Sequence, residues 1–508
     1  MTDTAPKNAA TMDYSQITTN PFARGPSCDN GSLDDDHLHE ECGVFGAYGS
    51  DDASVLTALG LHALQHRGQE ASGIVTFDGK EFYAHRALGH VGDNFGSDSP
   101  QMASLVGHTA IGHNRYSTSG KSNVLLEIQP FSSELAFGGF ALAHNGNLTN
   151  AARLRSSLVD TGSLFQSSSD TEIIVHLVAR SHQESVTDRL IDALKQIEGA
   201  YSLVCVADDM LIGVRDPYGV RPLVLGDRAG TTILASETCA LDIVGADYVR
   251  DLDPGEMVIV TKSGIQSLKP FQPVSPRFCV FEYIYFARPD SVLEQRGVYH
   301  ARKAIGAELA TESAIGADVV IPVPDSGVPA ALGYAEASGL PFDLGIIRNH
   351  YIGRTFIQPT QKGRTDSVKL KHNANPTAVA GKRIILVDDS IVRGTTSRKI
   401  VAMMRAAGAA EVHMRIASPP TTNPCFYGVD TPDQDQLIAA KMSVEDIAKE
   451  IGVDSLAFIS VDGLYRALGE ANRDPDSPQF CDACFTGEYP IKLAGNLSGK
   501  RVSHGIGT

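Results

Sequence analysis

Two adjacent acids, Asp388 and Asp389, lie between an apolar run and a loop of glycine and hydroxyl residues in the segment RIILVDDSIVRGTTS, residues 383–397. The apolar run predicts a buried parallel strand, and open α/β sheets bind their ligands at the carboxyl ends of such strands. The loop opens a helix, so its backbone N–H groups and hydroxyls suit a phosphate. Acids at that place suit ribose hydroxyls or a hydrated Mg²⁺ that bridges to a diphosphate. A paired Asp alone could equally cap the helix and face solvent, but the complete pattern favours a binding site.

A second set of chemically capable residues lies in the N-terminal half, where Cys42 follows a polar leader. Alone, a cysteine there is more often a small buried apolar residue. Four motifs accompany it, namely LHALQHRGQE at 61–70, GHNRYST at 112–118, AHNGNL at 143–148 and SSSDTE at 167–172. Each also has a structural interpretation. Arg115 could form a surface ion pair, Asp170 could be a helix N-cap, and an Asn-Gly pair such as Asn145-Gly146 is typical of a type I′ hairpin turn.

The third set consists of cysteines, of which the chain has eight. Cys481 and Cys484 form a C-x-x-C motif, and Cys279 and Cys425 lie alone far upstream. A single C-x-x-C can be redox-active, half of a zinc site or incidental. Four thiolates suit either Zn²⁺ or an iron–sulfur cluster, and their number does not distinguish the two. Of the others, Cys28 lies in the leader, and we expect Cys205 and Cys239 to be core residues because they lie in apolar, strand-like sequence.

The elements that must position the first-half residues are short strands and helices between residue 42 and about residue 270. The predicted strands are 72–77, 109–112, 140–144, 201–207, 211–214, 222–225 and 231–235, and the predicted helices are 53–65, 171–181 and 188–197. Many strands follow each other directly, which favours stacked antiparallel sheets with helices outside. A proline-rich stretch at 268–276 marks a domain boundary.

Beyond that boundary, strands and helices alternate as in a parallel α/β domain. The predicted strands are 318–323, 344–347, 383–387 and 411–417, and the predicted helices are 328–337, about 396–407 and one that begins near Ser443. Residues 1–41 are polar and end in an acidic run, which is typical of a disordered leader. The predicted domains are therefore 1–41, 42–270, 271–490 and a flexible tail at 491–508.

Length and composition exclude several classes of protein. With 508 residues the chain forms more than one domain, and its 42% hydrophobic and 20% charged residues exclude overall disorder, collagen and coiled coil. No apolar run approaches the ~18 residues of a membrane span, and we find no secretory signal. A net charge of −17 disfavours general nucleic-acid binding. Without a signal peptide, the cysteines suit a reducing cytosol, where metal binding or catalysis is more common than disulfides.

Residues 383–397 resemble the motif with which phosphoribosyltransferases bind phosphoribosyl diphosphate (PRPP). The resemblance implies that Asp388 and Asp389 contact the ribose hydroxyls. It also implies a 5′-phosphate loop made of Arg393, Gly394, Thr395, Thr396 and Ser397. The segment VPDSGV at 323–328 takes the place of the family's diphosphate loop, and the family's Mg²⁺ contacts carry over to Ser326, Asp388 and Asp389.

The segment YIGRTFIQP at 351–359, followed by Arg364, Lys369 and Lys371, takes the place of the family's flexible lid. Its positive charge suits a diphosphate. Without the family resemblance, it is only a basic surface loop.

The N-terminal motifs, across most of residues 42–240, together resemble the N-terminal-nucleophile glutamine amidotransferases. This implies cleavage before Cys42, which frees an α-amine with an ordinary pKa of about 7.7–8.0 to accept a proton while the thiolate attacks. The Asn145 side-chain amide and the Gly146 backbone N–H would form an oxyanion hole. Arg115 would pair with the α-carboxylate of glutamine, and Asp170 would hold its α-ammonium.

The segments 277–290, 424–430 and 481–487 resemble the cluster-binding segments of amidophosphoribosyltransferases of the iron–sulfur type. The resemblance implies a structural 4Fe-4S cluster on Cys279, Cys425, Cys481 and Cys484, rather than zinc. From Cys42 to about residue 490, the chain resembles that family. The implied fold is an α+β N-terminal-nucleophile sandwich of αββα layers, followed by an α/β phosphoribosyltransferase domain.

The implied reaction is hydrolysis of glutamine at Cys42 and transfer of the ammonia to PRPP, giving 5-phosphoribosylamine, glutamate and diphosphate in the first step of de novo purine biosynthesis. The resemblance further implies a cytoplasmic homotetramer inhibited by purine nucleotides, with neither nucleic acid nor membrane as partner. Two other classes stay open. A PRPP-sensing transcriptional regulator would not need the N-terminal set, and a glutamine amidotransferase with another acceptor, such as a sugar phosphate or aspartate, disagrees with the motif at 388–397.

Overall fold

The computed structural model describes residues 39–40, 42–96, 99–116, 124–348 and 372–493. The leader apart from His39 and Glu40, the lid segment 351–359 with Arg364, Lys369 and Lys371, and the tail from residue 494 lie outside the described residues. Ser117 and Thr118 of the second motif also lie outside them.

Two antiparallel sheets form the centre of the first half. The seven-stranded sheet has the order β12-β10-β11-β2-β5-β3-β4, with β2 Cys42–Tyr48, β3 Ala71–Phe77, β4 Phe82–Leu88, β5 Thr109–Arg115, β10 Val224–Arg228, β11 Thr231–Ala235 and β12 Asp247–Asp251. The six-stranded sheet has the order β14-β13-β9-β8-β7-β6, with β6 Phe131–Leu135, β7 Gly138–Leu148, β8 Gly199–Ala207, β9 Met210–Arg215, β13 Met257–Thr261 and β14 Gly264–Leu268. Their inner faces pack together through buried residues such as Val44, Ile111, Ala143 and Val204.

Helices cover the outer face of each sheet. Helices α1 (Ala53–Ala63) and α7 (Thr238–Val244) bury Leu61 and Leu241 in the same core as Phe45 of the seven-stranded sheet. On the other side, α4 (Ala151–Asp160), α5 (Thr171–Arg180) and α6 (Val186–Leu194) share a core with the outer face of β7 and β8. The short helices α2 (Val91–Asn94) and α3 (Pro100–Ser104) lie between β4 and β5. The αββα layering is therefore as the sequence predicted.

The second half contains a parallel sheet in the order β18-β21-β22-β24, formed by β18 Val319–Pro322, β21 Arg383–Asp388, β22 Glu411–Ile416 and β24 Ser455–Phe458. The helices of this half are α8 Val298–Glu312, α9 Val328–Ser338, α10 Pro376–Val379, α11 Thr395–Ala406, α12 Val444–Ile451, α13 Val461–Ala467 and α14 Ala483–Thr486. Ile384 and Leu386 point into one core and Ile385 and Val387 into another. Burial on both faces explains why β21 reads as a continuous apolar run.

Four short strand pairs also belong to the described fold. They are β1 His39–Glu40 with β23 Val429–Asp430, β15 Phe278–Cys279 with β25 Phe480–Cys481, β16 Val292–Leu293 with β17 Arg296–Gly297, and β19 Ile346–Arg348 with β20 His372–Ala374, besides the bridge between Val320 and Phe342. A π-helical turn, Glu282–Phe286, follows β15. The pairing of β15 with β25 brings the C-terminal segment back to the start of the second half.

The structure also differs from the sequence prediction. The strand predicted at 222–225 is Val224–Arg228, and the one predicted at 344–347 is Ile346–Arg348. Strands β4, β6 and β14 were not predicted because they lie towards or at the sheet edges, where half-exposed positions interrupt the apolar pattern. One buried core includes Phe45 and Leu61 of the first half together with Tyr283 and Tyr465 of the second. Among the described residues, no helix is both long and apolar enough to span a membrane.

Candidate functional site

Cys42 is the first residue of β2 and is buried in the seven-stranded sheet. Its register partner on β5 is Arg115, so the thiol and the guanidinium belong to neighbouring strand ends. Gly68 packs directly against that end, since a Cβ there would lie 2.7 Å from the carbonyl carbon of Arg115. Gly68, which belongs to the motif at 61–70, therefore lets the turn after α1 pack against Arg115.

Asn145 and Gly146 lie inside β7, where they pair with Ser202 and Tyr201 of β8. The alternative of a type I′ turn is therefore wrong. Asn145 is fully buried, and within the described part of the chain neither its amide nitrogen nor its oxygen has a hydrogen-bond partner. At Gly146, φ is +145° and a Cβ would lie 2.0 Å from the carbonyl oxygen of Ala200, so only glycine fits. A buried amide without a partner is costly, and it marks a place where a ligand oxygen can bind.

A hydrogen bond between the two sheets links the strand that carries Arg115 to the strand that carries Asn145, at the same end of the sandwich. His113, two residues before Arg115 on β5, contacts the carbonyl oxygen of His144 through Nε2 at 3.2 Å. His144 directly precedes Asn145. Burial lowers the pKa of His113 to about 3, so the imidazole is neutral at physiological pH.

Asp170 lies immediately before α5, but its carboxylate does not cap the helix. It accepts a hydrogen bond from the backbone N–H of Leu148, at the end of β7, at 2.8 Å. The interpretation of Asp170 as a helix N-cap is therefore wrong for its side chain, which instead faces the strand that carries Asn145.

The loop before Asp170 is held by two charged side chains. Glu172 accepts hydrogen bonds from the backbone N–H groups of Gln166 and Ser167, both at 2.8 Å. Arg155 donates to the carbonyl oxygens of Ser167 at 3.0 Å and Ser169 at 2.7 Å. Sequence reasoning gave no role to Arg155, because a single arginine on a helix carries no signal.

Gln129 provides a further link between β7 and α5 that the sequence analysis missed. Its amide oxygen accepts a hydrogen bond from the His144 backbone N–H at 2.8 Å, and its amide nitrogen donates to the Thr171 hydroxyl at 3.0 Å. Nδ1 of His144 lies 3.0 Å from the same hydroxyl. The residues next to Asn145 and Asp170 are therefore fixed by one network.

In the second half, Asp388 ends β21 and Asp389 follows it, with exposed fractions of 1% and 2%. The Ser326 hydroxyl donates to Asp389 at 2.6 Å, and the Ser390 hydroxyl donates to the other oxygen of that carboxylate at 2.7 Å. These acids are buried and do not face solvent, and α11 has no side-chain cap, so the helix-cap alternative is wrong. The structure thus brings together Ser326, Asp388 and Asp389. Two carboxylates and a hydroxyl are oxygen donors of the kind that bind Mg²⁺ together with substrate phosphates.

The loop after β21 leads directly into the first turn of α11. Gly394 has φ +77° and precedes the first residue of α11, Thr395. The Thr395 hydroxyl is buried and, among the described residues, has no hydrogen-bond partner. Ser397 is buried in the first turn of α11, and the Arg393 guanidinium donates to Gln436 at 3.3 Å. Backbone N–H groups and a hydroxyl at a helix start fit a phosphate.

Cys279, Cys425, Cys481 and Cys484 line one small apolar cavity together with Phe281, Tyr427 and Tyr489. Register pairing of β15 with β25 brings two of these residues side by side, Cys279 opposite Cys481. The Tyr427 backbone N–H donates to Sγ of Cys425 at 3.3 Å. Burial raises the pKa of Cys279 to about 12. Cys205 and Cys239 are buried elsewhere in the core, as the sequence predicted.

The four cysteines supply only sulfur donors to this cavity. Across the described ranges, no three His, Cys, Asp or Glu side chains stand close enough together to hold one metal ion. Four thiols nevertheless share one cavity wall. Thiolates are the ligands of both structural Zn²⁺ sites and iron–sulfur clusters. The cysteines therefore have the donor chemistry that a 4Fe-4S cluster requires.

Comparisons with known proteins match both halves of the chain. The pattern of the glutamine amidotransferase domain matches residues 113–242, and that of the phosphoribosyl transferase domain matches residues 290–417. The amidophosphoribosyltransferase of Rhizobium etli is 56% identical over 480 residues, covering 93% of this chain and 96% of that protein. The amidophosphoribosyltransferase of Bacillus subtilis is 48% identical over 458 residues, covering 90% and 95%.

Two solved structures share the fold. One is described as the allosteric regulatory enzyme of purine biosynthesis and has 47% sequence identity and a TM-score of 0.85, covering 90% of this chain and 97% of its own. The other is glutamine PRPP amidotransferase from B. subtilis complexed with ADP and GMP, with 47% identity, a TM-score of 0.84 and coverage of 90% and 98%.

Proposed function

The chain belongs to the amidophosphoribosyltransferase family, and we propose that it hydrolyses glutamine at Cys42 and transfers the ammonia to PRPP held at Asp388 and Asp389. The products are 5-phosphoribosylamine, glutamate and diphosphate, as in the first step of purine biosynthesis. The observation that carries this proposal is the presence of both sites in one chain. The buried amide of Asn145, which has no hydrogen-bond partner among the described residues, belongs to one, and the buried acid pair beside Ser326 belongs to the other.

The glutaminase half-reaction starts at Cys42, which requires removal of residues 1–41. The free α-amine accepts the thiol proton, and the thiolate attacks the amide carbon of glutamine. The Asn145 amide and the Gly146 N–H stabilise the oxyanion, while Arg115 and Asp170 hold the α-carboxylate and α-ammonium. The carbon–nitrogen bond then breaks, ammonia leaves with the proton returned by the amine, and water hydrolyses the thioester to glutamate.

In the second half-reaction, ammonia attacks carbon 1 of PRPP and the bond from that carbon to the diphosphate oxygen breaks. Asp388 and Asp389 hold the ribose hydroxyls, and the loop 393–397 holds the 5′-phosphate. A Mg²⁺ held by Ser326, Asp388 and Asp389 would neutralise charge on the departing diphosphate. Because free ammonia would be protonated and lost in water, both half-reactions must take place within one protein.

We further propose that Cys279, Cys425, Cys481 and Cys484 hold a structural 4Fe-4S cluster. The test is metal analysis of the purified protein, for which we expect iron, sulfide and a brown colour. A Cys279→Ser variant should lose iron, whereas Cys239→Ser, a buried cysteine outside the cavity, should keep it. Stoichiometric zinc in the wild-type protein would contradict the proposal.

For partners and location, we propose a cytoplasmic homotetramer inhibited by purine nucleotides. The nucleotide part of this proposal is supported by the B. subtilis relative, which was solved in complex with ADP and GMP. Inhibition of diphosphate release by these two nucleotides, and the mass of the assembly by light scattering, test this proposal.

The proposed function is tested by incubating the purified protein with PRPP, glutamine and Mg²⁺ and measuring the products. We expect glutamate and diphosphate to appear in equal amounts, and diphosphate also to appear when an ammonium salt replaces glutamine. If the protein instead shifted the electrophoretic mobility of DNA and had no glutaminase activity, it would be a PRPP-sensing regulator. Amination of a different acceptor without PRPP would support another amidotransferase.

A further inference from the structure

One segment of the second half reaches the strand that carries Asn145 and Gly146. This connecting segment, residues 417–428, begins where the Ala417 backbone N–H donates to the carbonyl oxygen of Asp388 at 2.8 Å. It ends at Gly428, which lies directly against Gly146. A Cβ on Gly428 would be 2.9 Å from Cα of Gly146 and 3.2 Å from its carbonyl carbon. The two backbones therefore touch at a position where neither tolerates a side chain.

The side chain of Asn147 ties this contact together. Its amide nitrogen donates to the carbonyl oxygen of Phe426 at 2.9 Å, although the two residues are 279 positions apart in the chain. Asn147 directly follows Gly146 on β7 and pairs through its backbone with Ala200 of β8. Gly146 is therefore held between β8 on one side and the connecting segment on the other.

The connecting segment is itself firmly held in the second half. The backbone N–H groups of Thr422 and Asn423 both donate to the carbonyl oxygen of Cys484 at 3.0 Å. The Tyr427 hydroxyl donates to the carbonyl oxygen of Ile491 at 2.7 Å, and Tyr427 is 1% exposed. A segment fixed in this way can act as a rigid wall for Gly146.

We propose that the connecting segment positions the oxyanion donors of the glutaminase site, with Asn147 as the positioning residue that ties Gly146 to it. This inference rests on the proposed function. The Gly146 N–H stabilises charge that develops only in the transition state, whereas Arg115 and Asp170 bind glutamine in the ground state. Loss of the tie lets the donor drift from its position, which slows the chemical step while leaving glutamine binding in place.

The test uses the full chain with Asn147→Ala and Asn147→Asp. The aspartate has nearly the same shape, but when ionised it cannot donate to Phe426. For both variants, we expect kcat with glutamine to fall about tenfold to a hundredfold, because small misplacement of catalytic groups has effects of that size. We expect KM for glutamine to stay within about twofold. Diphosphate release with an ammonium salt should equal that of the wild type, since that reaction does not use the oxyanion hole.

A matched control is Asn150→Ala. Asn150 is also buried. Its amide nitrogen donates to the carbonyl oxygen of Gln196 and its amide oxygen accepts from the backbone N–H of Glu198, at 3.0 Å each, so both of these hydrogen bonds lie in the first half. This variant should lower thermal stability and leave kcat with glutamine unchanged. The proposal is overturned if the Asn147 variants keep the wild-type kcat, or if their glutamine and ammonium rates fall together, as a general loss of structure would cause. If the wild type itself releases no diphosphate from PRPP with either nitrogen source, the proposed function fails instead.

Discussion

The Asn145 amide is buried without a hydrogen-bond partner in the described part of the chain, and such a group costs about 1–3 kcal/mol of folding free energy. A bound substrate oxygen would remove that cost for the amide nitrogen. The residue therefore makes sense as a binding group and not as part of the packed core. The same reasoning holds for the Thr395 hydroxyl in the proposed phosphate loop.

The sequence predicted the residues that we propose to bind substrate, but not those that hold them in place. Asn145, Asp170 and Asp388 lie in recognisable motifs because the chemistry fixes their types. Gln129 and Arg155, which lie outside those motifs, bond to backbone groups of His144 and Ser169, and many residue types can make such bonds. Their roles follow only from the folded structure.

At the residue scale, His113 makes the stability of the fold depend on pH. Burial lowers the pKa of His113 to about 3, with Arg115 and His144 acting in the same direction, while an unfolded histidine titrates near ~6.5. As the pH falls from about 6.5 towards 3, the unfolded chain therefore binds a proton that the native chain does not, and stability is lost by up to about 1.4 kcal/mol per pH unit. We expect the stability of His113→Gln to depend less steeply on pH over this range.

Urea unfolding at about pH 7.5 and about pH 5 measures the effect of His113→Gln. A His62→Gln variant, which changes an exposed histidine, serves as the control and should keep the wild-type pH dependence. An equally steep loss of stability in the His113 variant would refute the assignment.

At the scale of elements, helices α8 and α9 cross with their backbones in contact. A Cβ on Gly306 would lie 1.8 Å from the carbonyl oxygen of Ala330, and one on Gly333 would lie 1.8 Å from that of Lys303. Helix α9 begins directly after the loop that carries Ser326. The position of the proposed diphosphate loop therefore depends on how closely these helices approach.

We expect Gly306→Ala to push α9 away, to lower stability by about 1–3 kcal/mol or more, and to raise KM for PRPP. Gly92→Ala is the control, because a Cβ on that helical glycine meets nothing within 4 Å. Thermal unfolding and PRPP kinetics of both variants measure this. Equal behaviour of the two variants would show that the crossing does not position the loop.

Strands and helices could be predicted from the sequence where the apolar pattern of their buried residues is uninterrupted. Strand β21 and helix α11 follow from their apolar patterns, and both were predicted to within a residue of their bounds. The pairing of β15 with β25 could not be predicted, because each strand has two residues and about two hundred residues separate them. The assembly of the cysteine cavity depends on that pairing.

At the scale of the whole molecule, buried charges join the two halves. Arg67 of the first half forms salt bridges with Glu237 of the same half and, at 2.8 Å, with Glu282 of the second half. Glu282 also forms a salt bridge with Arg221. All four side chains are at most 1% exposed. Burial acts to raise the pKa of Glu237, but Arg67 and His66 outweigh it, so the pKa lies well below its ordinary value. Buried charges of this kind are retained only when each is paired, and here the pairing fixes how the halves fit together.

We expect Glu282→Gln to lower stability by about 3–5 kcal/mol, because it leaves buried arginine charge without its partner. Both the glutamine and the ammonium reactions should then be lost at a temperature that the wild type withstands. The control Glu336→Gln removes an exposed partner of Lys303 and should cost at most about 1 kcal/mol. A similar unfolding temperature for the two variants would contradict a structural role for the buried network.

The net charge of the chain says less about its binding partners than the composition suggested. Residues 1–41 hold eight acids and two bases, a net of −6, so the processed chain would carry −17 − (−6) = −11 before its new α-amine is counted. The net charge says little about the two substrates, since the groups proposed to recognise them, such as Arg115 and the N–H groups at the start of α11, are local.

If one chain carries two separable half-reactions, Cys42→Ala should abolish one of them and leave the other. Diphosphate release from PRPP is measured for the wild type and the variant, with glutamine and again with an ammonium salt. We expect the folded variant to lose the glutamine-dependent reaction and to keep the ammonium-dependent one. Loss of both reactions in a folded variant, or survival of the glutamine-dependent reaction, would contradict this expectation.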